Sequence, residues 1–189
     1  MKIRFWNKGK FRASAGTRIS LLCVLACLLT KPAGGWPQNL PQVGQKPAPA
    51  VGAAALPFDL NTLEGKPIRL ETFRGKPLLM NFFASWCDPC REEMPVLNSV
   101  AAQANNGGYA VLGIAVEDTR AAVTQYVEEA KLGFSIALDP NSTVKRAYRI
   151  FGPPATFFID ARGVLRDIVI GPMTPERARE GLKKAGVAR

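Results

Sequence analysis

Apolar and polar positions alternate in two ways along residues 56–189, and each way predicts its own elements. Residues 78–84 form a nearly continuous apolar run, the pattern of a central strand buried on both faces. Residues 109–116 repeat it, and residues 134–138 and 155–159 are shorter examples. Residues 164–170 read as a returning strand after the tight turn Asp160-Ala161-Arg162-Gly163. Residues 56–60 and 68–70 alternate around Glu64-Gly65-Lys66, which predicts a hairpin. Between the strands the spacing turns helical. Over 89–105, Met94, Leu97, Val100, Ala101 and Ala104 share a face, Pro95 is expected to kink the helix, and Asn105-Asn106-Gly107-Gly108 ends it. Over 119–131, Val123, Tyr126 and Val127 point inward; a third helix, 141–149, follows Pro140. Thr174 and Pro175 open a last helix over 174–184 as cap and first helical residue. Strands and helices in alternation predict an α/β fold with parallel strands, helices on both faces and an antiparallel edge from the last hairpin.

The first fifty residues read differently. Ile19 to Leu29 form an eleven-residue apolar run between Arg18 and Lys31, after a basic stretch. That is short for a membrane-spanning helix, which needs roughly 17–25 residues, and suits the hydrophobic part of an export signal. Ala33-Gly34-Gly35 offers a cleavage site, Val24-Leu25-Ala26-Cys27 offers lipidation at Cys27, and retention as an uncleaved anchor is the third alternative. All three place the remainder outside the cytoplasm, in the periplasm or on its membrane surface, soluble or tethered. Pro37, Pro41, Pro47 and Pro49 then mark an extended linker. The expected organisation is a signal or anchor over 1–35, a Pro/Ala-rich linker over 36–55 and a folded domain over 56–189.

Charge follows the same division. The net charge of +10 first suggests nucleic acid. Eight of the 25 basic residues, and none of the 15 acidic ones, lie in residues 1–50, so the folded part is nearly neutral. No nucleic-acid partner is expected. Histidine is absent, which removes Cys-His and Ser-His nucleophilic pairs and the commonest metal ligand. A four-cysteine zinc site would need Cys23 and Cys27 beside Cys87 and Cys90, so no metal is expected.

The chemistry concentrates in Trp86-Cys87-Asp88-Pro89-Cys90, at a strand-to-helix junction. Two thiols three residues apart can close a small reversible disulfide. Cys87 falls at the helix amino end, where unpaired backbone N–H groups and the dipole favour a thiolate. Cys90, one turn in, is placed to attack a mixed disulfide on Cys87. Asp88 opposes thiolate formation slightly, and Pro89 suits the first helical turn. Glu93 shares a face with Cys90, Met94 and Leu97, whereas Glu92 points away.

The stretch from Asn81 through the two cysteines to Arg91-Glu92-Glu93-Met94-Pro95, with Gly152-Pro153-Pro154-Ala155-Thr156-Phe157-Phe158-Ile159-Asp160, resembles the thioredoxin superfamily. Within it the chain is similar to the exported TlpA/ResA-like thiol-disulfide oxidoreductases over about residues 56–186. The resemblance implies a thioredoxin-like fold, a central mixed sheet flanked by helices with an amino-terminal β-hairpin extension. It implies a cis bond between Pro153 and Pro154 and a substrate contact there, with Trp86 as a flat apolar contact for the partner. Thioredoxins proper carry a buried aspartate six residues before the first cysteine, where this chain has Asn81. The exported branch instead has a glutamate at the position of Glu93, which implies a carboxylate of raised pKa that takes the Cys90 proton.

The activity implied is reduction of protein disulfides, such as those of apocytochrome c or another envelope protein, by a monomer that needs no cofactor and draws electrons from a membrane thiol-disulfide donor. Two alternatives stay open. A peroxiredoxin-like peroxidase would carry threonine three and proline seven residues before its cysteine, where this chain has Ala84 and Met80. A non-enzymatic module could hold Cu(I) on the two thiolates.

Overall fold

The computed structural model of the chain describes residues 48–187. The signal or anchor segment, Cys27 and most of the linker lie outside the described residues.

All six side chains of β3 (Leu78–Phe83) are buried, as its apolar run predicts. Successive side chains of a strand face opposite ways, so β3 feeds two cores. Leu79 and Phe83 join one with Cys90, Met94, Val123 and Leu182; Leu78, Met80 and Phe82 join the other with Ile114, Tyr148 and Phe157. Asn81 shares the parity of Leu79 and Phe83, which puts a polar side chain in the first core.

From β3 the chain runs through α1 (Asp88–Gly107), β4 (Ala110–Val116), α2 (Arg120–Ala130) and β5 (Ser135–Asp139). The three strands are parallel neighbours. Pro95 lies inside α1, and Gly108 ends that helix at φ 67°, a left-handed angle that suits glycine. Thr119 caps α2 by accepting from the Ala122 N–H.

The third helix corrects the sequence reading. It spans only Thr143–Ala147 (α3), against the expected 141–149. Ser142 and Arg149 adopt left-handed angles on either side of it. Both oxygens of the buried Asp139 carboxylate accept from its first turn, at the Thr143 and Lys145 N–H groups. So short a connection does not carry the chain into another parallel strand. Instead β6 (Ala155–Ile159) runs antiparallel to β3, and β7 (Leu165–Ile170) antiparallel to β6. β1 (Asp59–Thr62) and β2 (Pro67–Arg69) pair as a hairpin against β5. The mixed sheet has the order β2-β1-β5-β4-β3-β6-β7, and α4 (Pro175–Lys184) closes the chain, capped by Thr174.

Residues 52–55, read as linker from their composition, lie against this sheet. Gly52 and Ala55 donate to the Leu165 and Gly163 carbonyls, and Ala53 accepts from the Leu165 N–H. Small side chains let the backbone approach the sheet edge, a fit that composition does not reveal.

α4 packs on β6 at Gly181. A Cβ there would stand 2.4 Å from ring carbons of Phe158, whose side chain is fully buried. Alanine would gain about 1 kcal/mol of helix propensity, but overpacking costs about 1–3 kcal/mol. Gly181→Ala is therefore expected to lower the urea midpoint with an unchanged slope. A raised midpoint would show that the ring yields freely.

Candidate active site

Where β3 ends, Ala84, Ser85 and Trp86 lead into α1. The Cys87 N–H donates to the Ala84 carbonyl, and Cys87 is the amino-terminal cap of the helix. Cys87 and Cys90 are joined by a disulfide. The Cys90 N–H donates to Sγ of Cys87 at 3.3 Å, so the sulfur receives a helix-terminal donor. Both cysteines are buried, and they differ slightly in exposure. Cys87 is 5% exposed and Cys90 is sealed at 0%.

The entrance is built by loops from three strand ends. After β4, the Glu117 carbonyl accepts from Nε1 of Trp86, and Oδ2 of Asp118 accepts from the Ser85 N–H. Glu117 is at φ 52° and its carboxylate pairs with the mostly buried Lys145 at 2.7 Å. Trp86 is thus anchored by its indole N–H while more than half of it faces solvent. Before β6, the Pro153–Pro154 bond is cis, and the Pro153 carbonyl oxygen lies 3.7 Å from Sγ of Cys87. After β7, the Gly171 N–H donates to the Pro154 carbonyl.

Two residues near this entrance escaped the sequence reading. Phe151, two residues before Pro153, is fully exposed, and Ile170, paired with Ala155 across the sheet, is 73% exposed. With Trp86 they supply most of the large exposed apolar side chains among the described residues. An aromatic beside a glycine and two prolines, where no element can bury it, was the available signal for Phe151. Ile170 closes an alternating strand and gives none.

Beneath the disulfide helix, Glu93 is buried, and Glu92 is exposed as helical spacing predicts. Oε1 of Glu93 accepts from Nδ2 of Asn81 at 2.8 Å, and Oε2 accepts from the Met173 N–H at 2.6 Å. Burial pushes the carboxyl up to about 7, against the opposing pull of these two donors. Nδ2 of Asn81 also donates to Oγ1 of Thr156 at 3.0 Å. Arg91, beside Cys90 in the first turn of α1, lies over the Tyr126 ring and donates to the Ser85 carbonyl. No cluster of three or more cysteines and carboxylates suited to a metal is found among the described residues.

Residues 51–168 match the AhpC/TSA family. The chain is 36% identical over 139 residues to the thiol-disulfide oxidoreductase ResA of Geobacillus thermodenitrificans, covering 74% of this chain and 80% of that one. The chain belongs to the AhpC/TSA family, as a thiol-disulfide oxidoreductase of the ResA type. The solved thiol:disulfide interchange protein of the thioredoxin family from Chlorobium tepidum is 30% identical, with a TM-score of 0.64, over 73% of this chain and 99% of that one. A secreted Mycobacterium tuberculosis disulfide oxidoreductase homologous to E. coli DsbE is 27% identical, with a TM-score of 0.60, over 69% of this chain and 96% of its own. This ResA-type chain lacks the residues a peroxidase would place before its cysteine. Ala84 and Met80 occupy those positions, and neither side chain carries a hydroxyl.

Proposed function

We propose that this oxidoreductase is an exported reductase of protein disulfides, with Cys87 as nucleophile, Cys90 as resolving thiol and Glu93 as proton acceptor. The observation that carries the reading is the asymmetry of the pair: Cys87 caps the helix and its sulfur accepts from the Cys90 N–H, whereas Cys90 is fully buried with a carboxyl of raised pKa on the next turn. In the reduced chain the Cys87 thiolate attacks a substrate disulfide, and one substrate thiolate leaves. Cys90 passes its proton to Glu93 and attacks the sulfur of Cys87. The second substrate sulfur departs, and the chain is left with the Cys87–Cys90 disulfide. Two electrons have moved to the substrate, whose two thiolates take one proton from Glu93 and one from solvent. A membrane thiol-disulfide donor returns the electrons.

Trp86, Pro153 and Pro154 form the contact for the substrate chain, and Phe151 extends its apolar rim. The substrate class is an envelope protein disulfide, with apocytochrome c one member. No helix among the described residues is long and apolar enough to cross a membrane. Location therefore rests on the basic, apolar amino-terminal segment and on the M. tuberculosis relative described as secreted. The export segment over 1–35 delivers the domain to the periplasm, where it acts as a monomer, free or held at the membrane.

Two measurements test the assignment. Brief alkylation of the reduced chain near neutral pH should label Cys87 ahead of Cys90, because the thiolate reacts and Cys87 holds the helix-cap position while Cys90 is fully buried. Peptide mapping separates both from Cys23 and Cys27. Faster labelling of Cys90 would reverse the roles. Equilibration with thiol-disulfide buffers should give a potential nearer that of thioredoxin, about −270 mV, than that of DsbA, about −120 mV. A value at the oxidising end would reverse the direction of transfer.

A further inference from the structure

The Asn81 amide sits between two groups that decide which way it faces. Its nitrogen donates to Oε1 of Glu93 and to Oγ1 of Thr156. Its oxygen is buried with no hydrogen-bond partner among the described residues. The residue itself is fully buried, as is Thr156, and Glu93 is 1% exposed. A buried amide normally satisfies both ends, and an unpaired buried acceptor costs about 1–3 kcal/mol. The unpaired end gives the amide no preference, so orientation is set at the other end.

An ionised Glu93 only accepts hydrogen bonds, and the amide must then present its NH₂ group, as it does here. A protonated Glu93 carries an O–H. If that proton is on Oε1, it meets the amide hydrogen that points there, and the contact becomes repulsive. Turning the amide by half a rotation replaces the nitrogen with Oδ1, which accepts from the Glu93 O–H. Thr156 can serve both arrangements, because a hydroxyl both donates and accepts. It accepts from the amide nitrogen in one and donates to the amide oxygen in the other. Oε2 keeps its bond from the Met173 N–H in either case.

We propose that Asn81, with Thr156, is a positioning residue that follows the proton on Glu93, turning its amide when the carboxylate becomes a carboxylic acid. The inference rests on the proposed role of Glu93 as the acceptor of the Cys90 proton. It explains how a buried carboxyl can hold a proton for part of each cycle without a second ionisable partner. The other titratable and charged groups around it do not supply one. Cys90 is the proton source on the same helix. Tyr126, from α2, has its own phenol pushed up by burial and faces Arg91. On α4, Arg179 pairs with Glu176, and Lys184 pairs with Glu180 and with Asp167 of β7. β6 contributes Thr156, which is neutral.

The test is a pH titration of the oxidised full chain by NMR, following the Glu93 carboxyl carbon and the Asn81 side-chain amide. The oxidised form keeps Cys87 and Cys90 silent. The Asn81 NH₂ resonances should move with the same midpoint as the Glu93 carbon, and the movement should vanish in Glu93→Gln. Asn81→Leu removes the donor to the carboxylate and should raise the Glu93 midpoint by about one unit, tenfold in proton affinity. Thr156→Val, which keeps volume but loses both donor and acceptor, should move the midpoint less, because each protonation state loses one bond. Asn81 resonances that stay fixed while Glu93 titrates would overturn the proposal, as would an unchanged midpoint in Asn81→Leu. Failure here is separable from failure of the catalytic reading. Glu93→Gln could still alter the exchange rate while the amide stays still, and the acceptor role would then survive without this device.

Discussion

Cys87→Ser is expected to abolish reduction of a disulfide-bonded protein, and Cys90→Ser to stop it after one exchange. The two losses differ in kind. Without Cys87 there is no nucleophile at the helix cap, since Cys90 is sealed and cannot reach a substrate disulfide. The remaining rate should fall to that of the uncatalysed buffer reaction. Without Cys90 the first exchange proceeds, because Cys87 keeps its position and the backbone donor at residue 90 survives replacement of the side chain. The mixed disulfide then accumulates, since nothing in the chain releases it quickly. Turnover of both variants is read with a protein substrate and a chemical reductant in excess. Sustained turnover by Cys87→Ser would place the chemistry elsewhere in the chain.

Glu93 should make the oxidised chain less stable as pH rises. Its carboxyl titrates near 4.5 when unfolded and near 7 in the fold, where burial disfavours the charge. Between those values the folded chain binds more protons than the unfolded chain, so unfolding free energy falls with rising pH. The contribution is fully present below about 4.5 and is lost as pH passes through about 7. A shift of that size corresponds to a loss of about 3 kcal/mol. Glu93→Gln carries no ionisable group there and should lack this part of the pH dependence. Denaturant titrations at pH 4.5 and pH 8 on parent and variant give the comparison. Other titrating groups are common to both and cancel in the difference. Equal pH dependence in the two chains would mean that Glu93 stays an ordinary carboxylate.

Local chemistry was legible in the sequence because its causes are local. Cys87 and Cys90 sit a turn apart at a junction marked by an apolar run and a proline, and Glu93 shares the helical face of Cys90. Thr119 and Thr174 announce two helix starts through residues immediately beside them. What could not be read depends on distance along the chain. Asn81 meets Glu93 twelve residues away, Thr156 seventy-five and the Met173 backbone eighty from Glu93. No periodicity links those positions, and Asn81 on its own looked only like the loss of an aspartate.

The antiparallel turn of β6 was hidden for a related reason. The apolar spacing over 141–149 resembles a crossover helix, but two left-handed residues confine the helix to five positions. Phe151 shows the reverse limit. Its residue type says core, and its exposure follows from its place beside a glycine and two prolines, where no element can bury it.

Trapping shows whether exchange begins at Cys87. Reduced full-length Cys90→Ser is mixed with a disulfide-bonded protein, quenched with acid and mapped by mass spectrometry without reduction. One covalent adduct joined through Cys87 is expected, and none when Cys87 is also replaced. An adduct that persists in the double variant, or no adduct under conditions where the parent reduces the same protein, would contradict a start at Cys87.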